Sequence, residues 1–556
     1  MQSLQSNRRY SDNTPINNLI EKIVGELKTF TENQAQNISD LVEIGKAMSA
    51  EHDLSVVLEM ILRQARRFTK ADGGTLYLLT EDRKELAFYV MHNDTLNSYM
   101  GGTSDEKVSL PNVPLYIDDQ PNQSHVSAYV ALKNKAVNIP DVYEAEGFNF
   151  EGTKEFDILM KHRCQSMLVV PMCDHEDQMI GVLQLINAKD PVGQSIPFST
   201  AAIDLTEAVS SQAAVMLTQQ NLINNLKDLF ESFIKSIATA IEEKSKYTSG
   251  HIQRVAELTI MIADEINQMT EGPFTDTCFS KDEMEELRIA AWMHDTGKIT
   301  TAEHVVDKAL KLEGVFNKME HIKTRWQTIY LTVQLKVQKL KSQLINNNSD
   351  PKELTKIDAQ CQAELAQLAD DLAFLENTNI GAEFMIDEHL ERLNLIAQKT
   401  YEVDGKEYRY LNEDEVENLS IRKGTLTKKE RDIVENHATM TMKILESLPW
   451  PRKMANVPKI ASAHHEKLNG TGYPLNLEAD QINLQSRIMA VSDIFEALSA
   501  PDRPYKKPMS LSQAINILKL MVKDKHLDKD VVELFLKSEL VSKYANQYLK
   551  KDQLDF

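Results

Sequence analysis

The stretch LRIAAWMHDTGK, residues 287–298, decides how the C-terminal half of this chain is read. An apolar helical run ends in an adjacent imidazole and carboxylate, His294 and Asp295, followed by Gly297 and Lys298. Successive helix residues point about 100° apart, so both can face one cavity only near a helix end or where several helices converge. Gly297 is expected to supply such an end as a C-terminal cap, where unpaired carbonyls and the helix dipole favour a cation.

Three further islands carry the same residue types: YTSGHIQRV (247–255), IVENHA (433–438) with AHHEKLNGTGYP (463–474), and AVSDIFEALSAPDRPYK (490–506). They add His251, His437, the pair His464–His465, and Asp493. Any one of these is ordinarily a surface or hydrogen-bonded core residue. Two adjacent pairs beside apolar helical stretches, with three more candidates, point to a metal site. Imidazole and carboxylate donors suit iron, manganese or zinc and disfavour a thiolate or calcium site. A carboxylate such as Asp295 can bridge two ions, and ions about 3.5–4 Å apart can clamp a phosphodiester oxygen.

In order and content these islands resemble the HD-GYP branch of the HD phosphohydrolases, an all-α fold. The resemblance implies that His251, His294, Asp295, His437, His464, His465 and Asp493 are metal ligands, with Asp295 as the bridge. It implies two divalent ions, iron or manganese. Lys298 would lie at the scissile phosphate, Arg503 and Lys506 on the nucleotide phosphates, and Gly472, Tyr473 and Pro474 in the motif that names the family. Asp295 and Lys298 would be the catalytic pair. Gly472 fits a close backbone approach after the Asn469–Gly470 turn. Some family members place a Glu four residues before the first ligand His to help hold a third ion. Tyr247 stands there, so two ions are expected. The implied reaction is hydrolysis of cyclic di-GMP to linear pGpG, and further to GMP, by metal-activated hydroxide. Cyclic GMP-AMP is an alternative substrate, since no residue identifiable from sequence reads the base. A di-iron oxygenase and a non-catalytic dinucleotide receptor are the competing readings. The first fits poorly with the basic residues, the second with an intact ligand set.

Residues 310–418 interrupt this pattern. Stripes from Trp326 to Leu344 and from Leu354 to Leu375, separated by NNNSDP (346–351), predict an antiparallel helical hairpin. YEVDGKEYRY predicts a β-hairpin turning at Asp404–Gly405.

Upstream, ADGGTLYLLTEDRKELAFYV (71–90), SMLVVPMC (166–173) and MIGVLQLINAKD (179–190) alternate strand-like runs with polar turns, predicting an antiparallel sheet with covering helices. With NKAVNIPDV (134–142) they resemble a GAF domain, which implies an α+β sensor that binds a small molecule or mediates dimers. Asn187, Lys189, Phe198 and Asp204 echo a cyclic-nucleotide signature only loosely and are expected to be strand-end and cap residues. From 199 to 243 Val209, Ala213, Met216, Ile223, Phe230, Ile234 and Ile237 recur at coiled-coil spacing, interrupted by Gln220 and Lys227, predicting a homodimer through a linker helix.

These readings divide the chain into 1–37 (a polar segment and amphipathic helix), 38–198 (GAF-like sensor), 199–243 (linker), 244–309 and 419–556 (two parts of a catalytic domain), and 310–418 (insertion). The 556 residues are too many for a single core. A net charge of −21 disfavours nucleic-acid polymers and anionic membranes, so an anionic substrate must meet local cations or metal. No apolar run approaches a membrane span and no secretory segment is evident, so a cytoplasmic location is expected. Cys164, Cys173, Cys278 and Cys361 form no CxxC pair and are expected to be buried thiols.

Overall fold

A computed structural model describes residues 14–50, 53–244, 250–347, 351–381, 384–500 and 509–555. The polar start of the chain (1–13), Tyr247, part of the NNNSDP turn, and both Arg503 and Lys506 lie outside the described residues. The chain divides into two compact units, Met1–Leu229 and Phe230–Phe556.

In the first unit, α1 (Thr14–Ala50) leaves Ile16, Leu19, Ile23 and Leu27 exposed. Asp53 caps α2 (Leu54–Thr69) by accepting from the amides of Ser55 and Val56. The strands are β1 (Ala71–Leu79), β2 (Glu85–Asn93), β3 (Ser98–Gly101), the short β4 (Val113–Pro114), β5 (Tyr116–Ile117), β6 (Gln120–Pro121) and β7 (Val137–Ile139), then β8 (Met167–Cys173), β9 (Met179–Lys189) and β10 (Ser195–Ile196). The main sheet runs β3-β2-β1-β9-β8-β7, with every pair antiparallel. Helices α3 (Val126–Lys133) and α4 (Glu151–Met160) lie in the β6–β8 connections.

Both faces of this sheet are covered, which is why its central strands read as continuous apolar runs. Leu168, Val170, Leu183 and Leu185 pack with Leu58, Ile61 and Leu62 of α2 on one face. Val169, Val182 and Tyr77 pack with Val126 and Val130 of α3 on the other. Asn187 and Lys189 lie at the end of β9. Asn187 donates to the carbonyl of Arg163 at 2.8 Å and accepts from the amide of Gln165 at 2.7 Å. Lys189 pairs with buried Asp72, which also accepts from Thr95 at 2.7 Å and faces His162 at 3.3 Å. Phe198 is buried in the core, and Asp204 is exposed.

The long helix α5 (Thr200–Glu242) departs from the expected single seam. Val209 and Ala213 are spent on the first unit's own core, and Ile234 on the second's. A different stripe is left exposed: Leu222, Leu226, Leu229 and Phe233, beside Ile223 and Phe230.

The second unit is helical: α6 (His251–Gln268), α7 (Lys281–Met293), a 3-10 turn (Thr296–Thr300) and α8 (Glu303–Val306). The insertion follows as α9 (Lys318–Asn346) and α10 (Pro351–Ile380), the predicted hairpin, then α11 (Asp387–Gln398), β11 (Thr400–Val403), β12 (Lys406–Arg409) and α12 (Glu413–Leu419). It has its own core around Leu312, Trp326, Ile329, Leu368, Leu375 and Leu393. Its start and finish are stitched together by Lys311. The Lys311 amide donates to Asn379 O at 2.9 Å, and its buried ammonium donates to the carbonyls of Leu419 and Ile421 at 3.1 and 2.7 Å. Helices α13 (Lys428–Glu446), α14 (Val457–Ser462), α15 (Leu484–Ser499), α16 (Leu511–Lys523), α17 (Lys529–Lys537) and α18 (Leu540–Tyr548) complete the unit. Its main core joins α6, α7 and α15 through Leu258, Ile262, Leu287, Ala290, Val491 and Phe495. Among the described residues no helix is long and apolar enough to cross a membrane.

Candidate metal centre

The seven candidate ligands converge although they span residues 251 to 493. His251 opens α6, His294 follows the last residue of α7, and Asp295 precedes the 3-10 turn. His437 lies in α13, His464 and His465 follow α14, and Asp493 lies in α15. Three overlapping sets each hold ligand atoms within 4.8 Å of one another: His251, His294 and Asp493; His294, Asp295 and His464; His437, His464 and His465.

Asp295 sits between the outer sets. Its Oδ2 lies 3.6 Å from His251 Nε2 and 3.3 Å from His294 Nε2, while Oδ1 lies 3.5 Å from His437 Nε2. Asp493 Oδ1 stands 3.3 Å from His251 Nε2.

Local hydrogen bonds orient the rings. The Nδ1–H groups of His294, His437 and His464 donate to the carbonyls of Ala291, Val434 and Ala461, each three residues back, at 2.7, 2.5 and 2.6 Å. That leaves the Nε2 atoms of all three buried without a hydrogen-bond partner among the described residues. Buried polar atoms are rarely orphaned in this way, and three aimed at one carboxylate fit a metal site. His251 is held differently, with Nδ1 against the Glu496 carboxylate, which Arg254 braces at 2.7 Å. A carboxylate behind a ligand imidazole fixes its orientation and raises its basicity.

The electrostatics divide the cluster. Burial opposes charge on Asp295, but Lys298 and the neighbouring imidazoles outweigh it and hold the carboxyl well below its ordinary range. Asp493 is likewise held down by His251 against the cost of burial. Burial also opposes a proton on His251, yet Asp295, Asp493 and Glu496 raise its affinity well above normal. His464 is pushed far down by burial, with His465 and His294 adding to the effect, and His465 is pushed down to about 3 by burial. The pair is therefore neutral at pH 7, as ligands must be.

Lys298 donates to Asp295 Oδ2 at 2.6 Å from the wall of a cleft also lined by Ile241, Glu242, Lys244, His251, Ile252 and Val306. On the opposite side the Tyr473 ring lies 4.8 Å from that of His465. A Cβ on Gly472 would fall 2.4 Å from Glu466 Cα, so the expected close approach is present. Gly297 is not the C-terminal cap expected of it. It lies inside the 3-10 turn, where a Cβ would fall 1.9 Å from His437 O, so its role is contact with α13.

Sequence reasoning missed the supports. Glu496 lies three residues after Asp493. Buried Glu466 follows the histidine pair directly and accepts from the amides of Leu475 and Leu477 at 2.6 and 2.9 Å, fixing the loop after Pro474. Thr441, one helical turn after His437, donates to His294 O at 3.0 Å and accepts from Gly297 N at 2.9 Å. For Glu496 and Thr441 the helical spacing from a ligand was the available signal.

Comparison with known families assigns these regions. The GAF domain family matches residues 53–217, and HD domain families match residues 248–375 and 414–531. The chain has a GAF domain followed by an HD domain matched in two segments. A probable cyclic di-GMP phosphodiesterase of Vibrio cholerae serotype O1 is 36% identical over 141 residues, covering 24% of this chain and 32% of the relative. A 3'3'-cGAMP-specific phosphodiesterase 1 of the same organism is 26% identical over 312 residues, covering 53% of this chain and 66% of the relative. The chain thus spans less than two thirds of either relative. A crystal structure of the GAF domain from an Acinetobacter phosphoenolpyruvate-protein phosphotransferase aligns with 34% of this chain and 98% of its own, at 18% identity and a TM-score of 0.26. The His/Asp cluster belongs wholly to the two HD-matched segments, and the sheet to the GAF domain.

Proposed function

We propose that this chain is a metal-dependent phosphodiesterase that opens cyclic di-GMP to pGpG and can cut further to GMP. The observation that carries the reading is the set of orphaned imidazole Nε2 atoms around Asp295. In this reading His251, His294 and Asp493 would hold one divalent ion and His437, His464 and His465 a second, with Asp295 available to both. The donors suit iron or manganese. Such ions supply acidification of water and neutralisation of phosphoryl charge.

The chain's own groups do the rest. Lys298, on the cleft wall, stabilises charge developing on the phosphoryl oxygens. Glu496 and Arg254 keep His251 aimed inward. Glu466 holds the Gly472–Tyr473–Pro474 loop, with Tyr473 packed on His465 beside the bound dinucleotide. Arg503 and Lys506, outside the described residues, are proposed as the basic residues for its phosphates.

The domain extents proposed are a GAF-like sensor at 38–198, a linker at 199–243, and a catalytic domain from 244–309 and 419–556 with 310–418 inserted. The sensor binds a small molecule, and the protein is a cytoplasmic homodimer. The dimer forms through the exposed stripe Leu222, Leu226, Leu229 and Phe233. No Asp, Glu, Lys or Arg lies between Glu207 and Lys227. In a chain of net charge −21, this stretch, which holds Leu222 and Leu226 of the stripe, is one where a second copy meets no like charge.

Cyclic GMP-AMP is the second substrate reading, favoured by the length of the match to the cGAMP-specific relative. Anaerobic purification with metal analysis, then incubation with each dinucleotide and chromatography of the products beside an Asp295→Ala control, tests both. Metal-dependent cleavage lost in the control supports the reading and ranks the substrates. A metal-loaded protein that cleaves neither refutes it.

A further inference from the structure

Helix α5 ends at the metal cluster, and two polar side chains fasten it there. The Glu242 carboxylate accepts from the amides of Gly250 and Ile252 at 3.1 and 2.7 Å. These are orphan donors at the start of α6, whose N-cap, Gly250, offers no side chain of its own. A carboxylate there satisfies both the hydrogen-bonding need and the helix dipole. Between the two bonded amides lies His251, the first residue of α6. Two residues after Glu242, the Lys244 ammonium donates to the carbonyls of Lys298 and Ile299, the latter the closer contact. Those carbonyls belong to the turn that begins immediately after Asp295. Between the two fasteners Ala238, Ile241 and Ile252 form a small apolar cluster with Ile237 and Trp292, and Trp292 lies two residues before His294. Glu242, Lys244 and Ile241 also line the cleft that reaches His251, Asp295 and Lys298.

We infer that Glu242 and Lys244 are positioning residues through which α5 sets the relation between His251 and the Asp295–Lys298 turn. The same helix contributes Ala202, Val209, Ala213 and Leu217 to the core of the GAF-containing unit. The last residues of α5 thus reach metal-ligand elements rather than a surface. The inference rests on the metal-site reading above and adds the route by which the sensor would act on it.

The test uses the full chain and Mn2+ as the probe. Glu242→Ala is expected to lower Mn2+ affinity about tenfold, the low end of what ligand-orienting groups contribute. Glu242→Gln, whose amide oxygen can still cap one amide, is expected to recover most of it. Lys244→Ala is expected to lower kcat with little change in KM, and Lys244→Arg to restore it. A one-residue insertion after Gln220, which turns the upstream helix by about 100°, is expected to alter Mn2+ affinity in the otherwise native chain but not in the Glu242→Ala, Lys244→Ala double variant. Native Mn2+ affinity in Glu242→Ala together with native kcat in Lys244→Ala would overturn the positioning role. An insertion effect of equal size with and without the two side chains would overturn the relay. If the native chain binds Mn2+ but cleaves no cyclic dinucleotide, the phosphodiesterase reading fails, while the affinity ratios still decide this inference.

Discussion

Gly297→Ala separates two readings of one residue by sign. If Gly297 were only a flexible link or a cap, alanine would restrict the unfolded chain and leave stability unchanged or raised by up to about 1 kcal/mol. The geometry demands the opposite. The added Cβ would lie 1.9 Å from His437 O and 2.6 Å from Thr441 N, both backbone atoms of α13 that no rotamer change can move. Relief requires the turn and the helix to part by roughly an ångström, a displacement that can cost about 100-fold in rate when it falls on a reacting constellation. Overpacking costs about 1–3 kcal/mol. The two Thr441 hydrogen bonds, 2.9 and 3.0 Å long, are strained or lost at about 0.5–1.5 kcal/mol each. Together the destabilisation is about 2–6 kcal/mol, and the 3.5 Å approach of Asp295 to His437 widens with it. Urea denaturation gives the stability change, and anaerobic Mn2+ titration reads the cluster. A variant as stable as the native chain, with native Mn2+ affinity, would refute the close-contact argument.

Four further outcomes are expected. Glu496→Gln leaves one amide oxygen to serve both His251 and Arg254, so Mn2+ affinity should fall about 10- to 100-fold; an unchanged titration would remove Glu496 from the site. In the first unit burial opposes charge on Asp72, but hydrogen bonds from Lys189, Thr95 and His162 outweigh it and lower its pKa. Its stabilisation is therefore present above the ordinary carboxyl value of 3.8 and lost as pH falls through the lower folded-state value. Asp72→Asn should melt well below the native chain at pH 7 with the gap closing in acid, and a pH-independent gap would contradict this. Exposed Cys278 should react with a thiol reagent first, and Cys164, pushed up to about 12 by burial, last under native conditions; peptide mapping after brief alkylation decides the order. Leu226→Glu with Phe233→Glu should convert a dimer to monomers in light scattering, and a dimer that survives both charges would place the interface elsewhere.

The metal-ligand candidates were legible because their types are rare and their setting is unusual: His294–Asp295 and His464–His465 each end an apolar helical run. The sheet was legible for a similar reason, since strands covered on both faces carry unbroken apolar runs such as MLVVPM. The Asp404–Gly405 turn was written in residues that tolerate positive φ, and both adopt it. What stayed hidden depends on partners distant in sequence. Glu466, Glu496 and Thr441 are ordinary residue types until the fold brings an amide or an imidazole to them. Gly297 looked like a helix end because sequence spacing cannot show that α13 presses on it. The seam of α5 misled because one periodicity serves two different cores in turn, leaving the truly exposed stripe offset from it. The thiols were expected to be buried, yet Cys278 is exposed, since an isolated cysteine carries no local pattern that reports its depth.

The Lys311 stitch changes what the insertion costs the domain around it. Closure entropy rises only logarithmically with loop length, about 0.6 kcal/mol per doubling. Here even that small penalty is reduced, because the inserted segment has a core of its own and its two ends are bonded to one another. To the helices on either side, the detour behaves as a short connection. A segment so closed can lengthen, shrink or exchange its surface over evolutionary time without dragging His294 away from His437, and it is where an engineer could splice a foreign module into this chain.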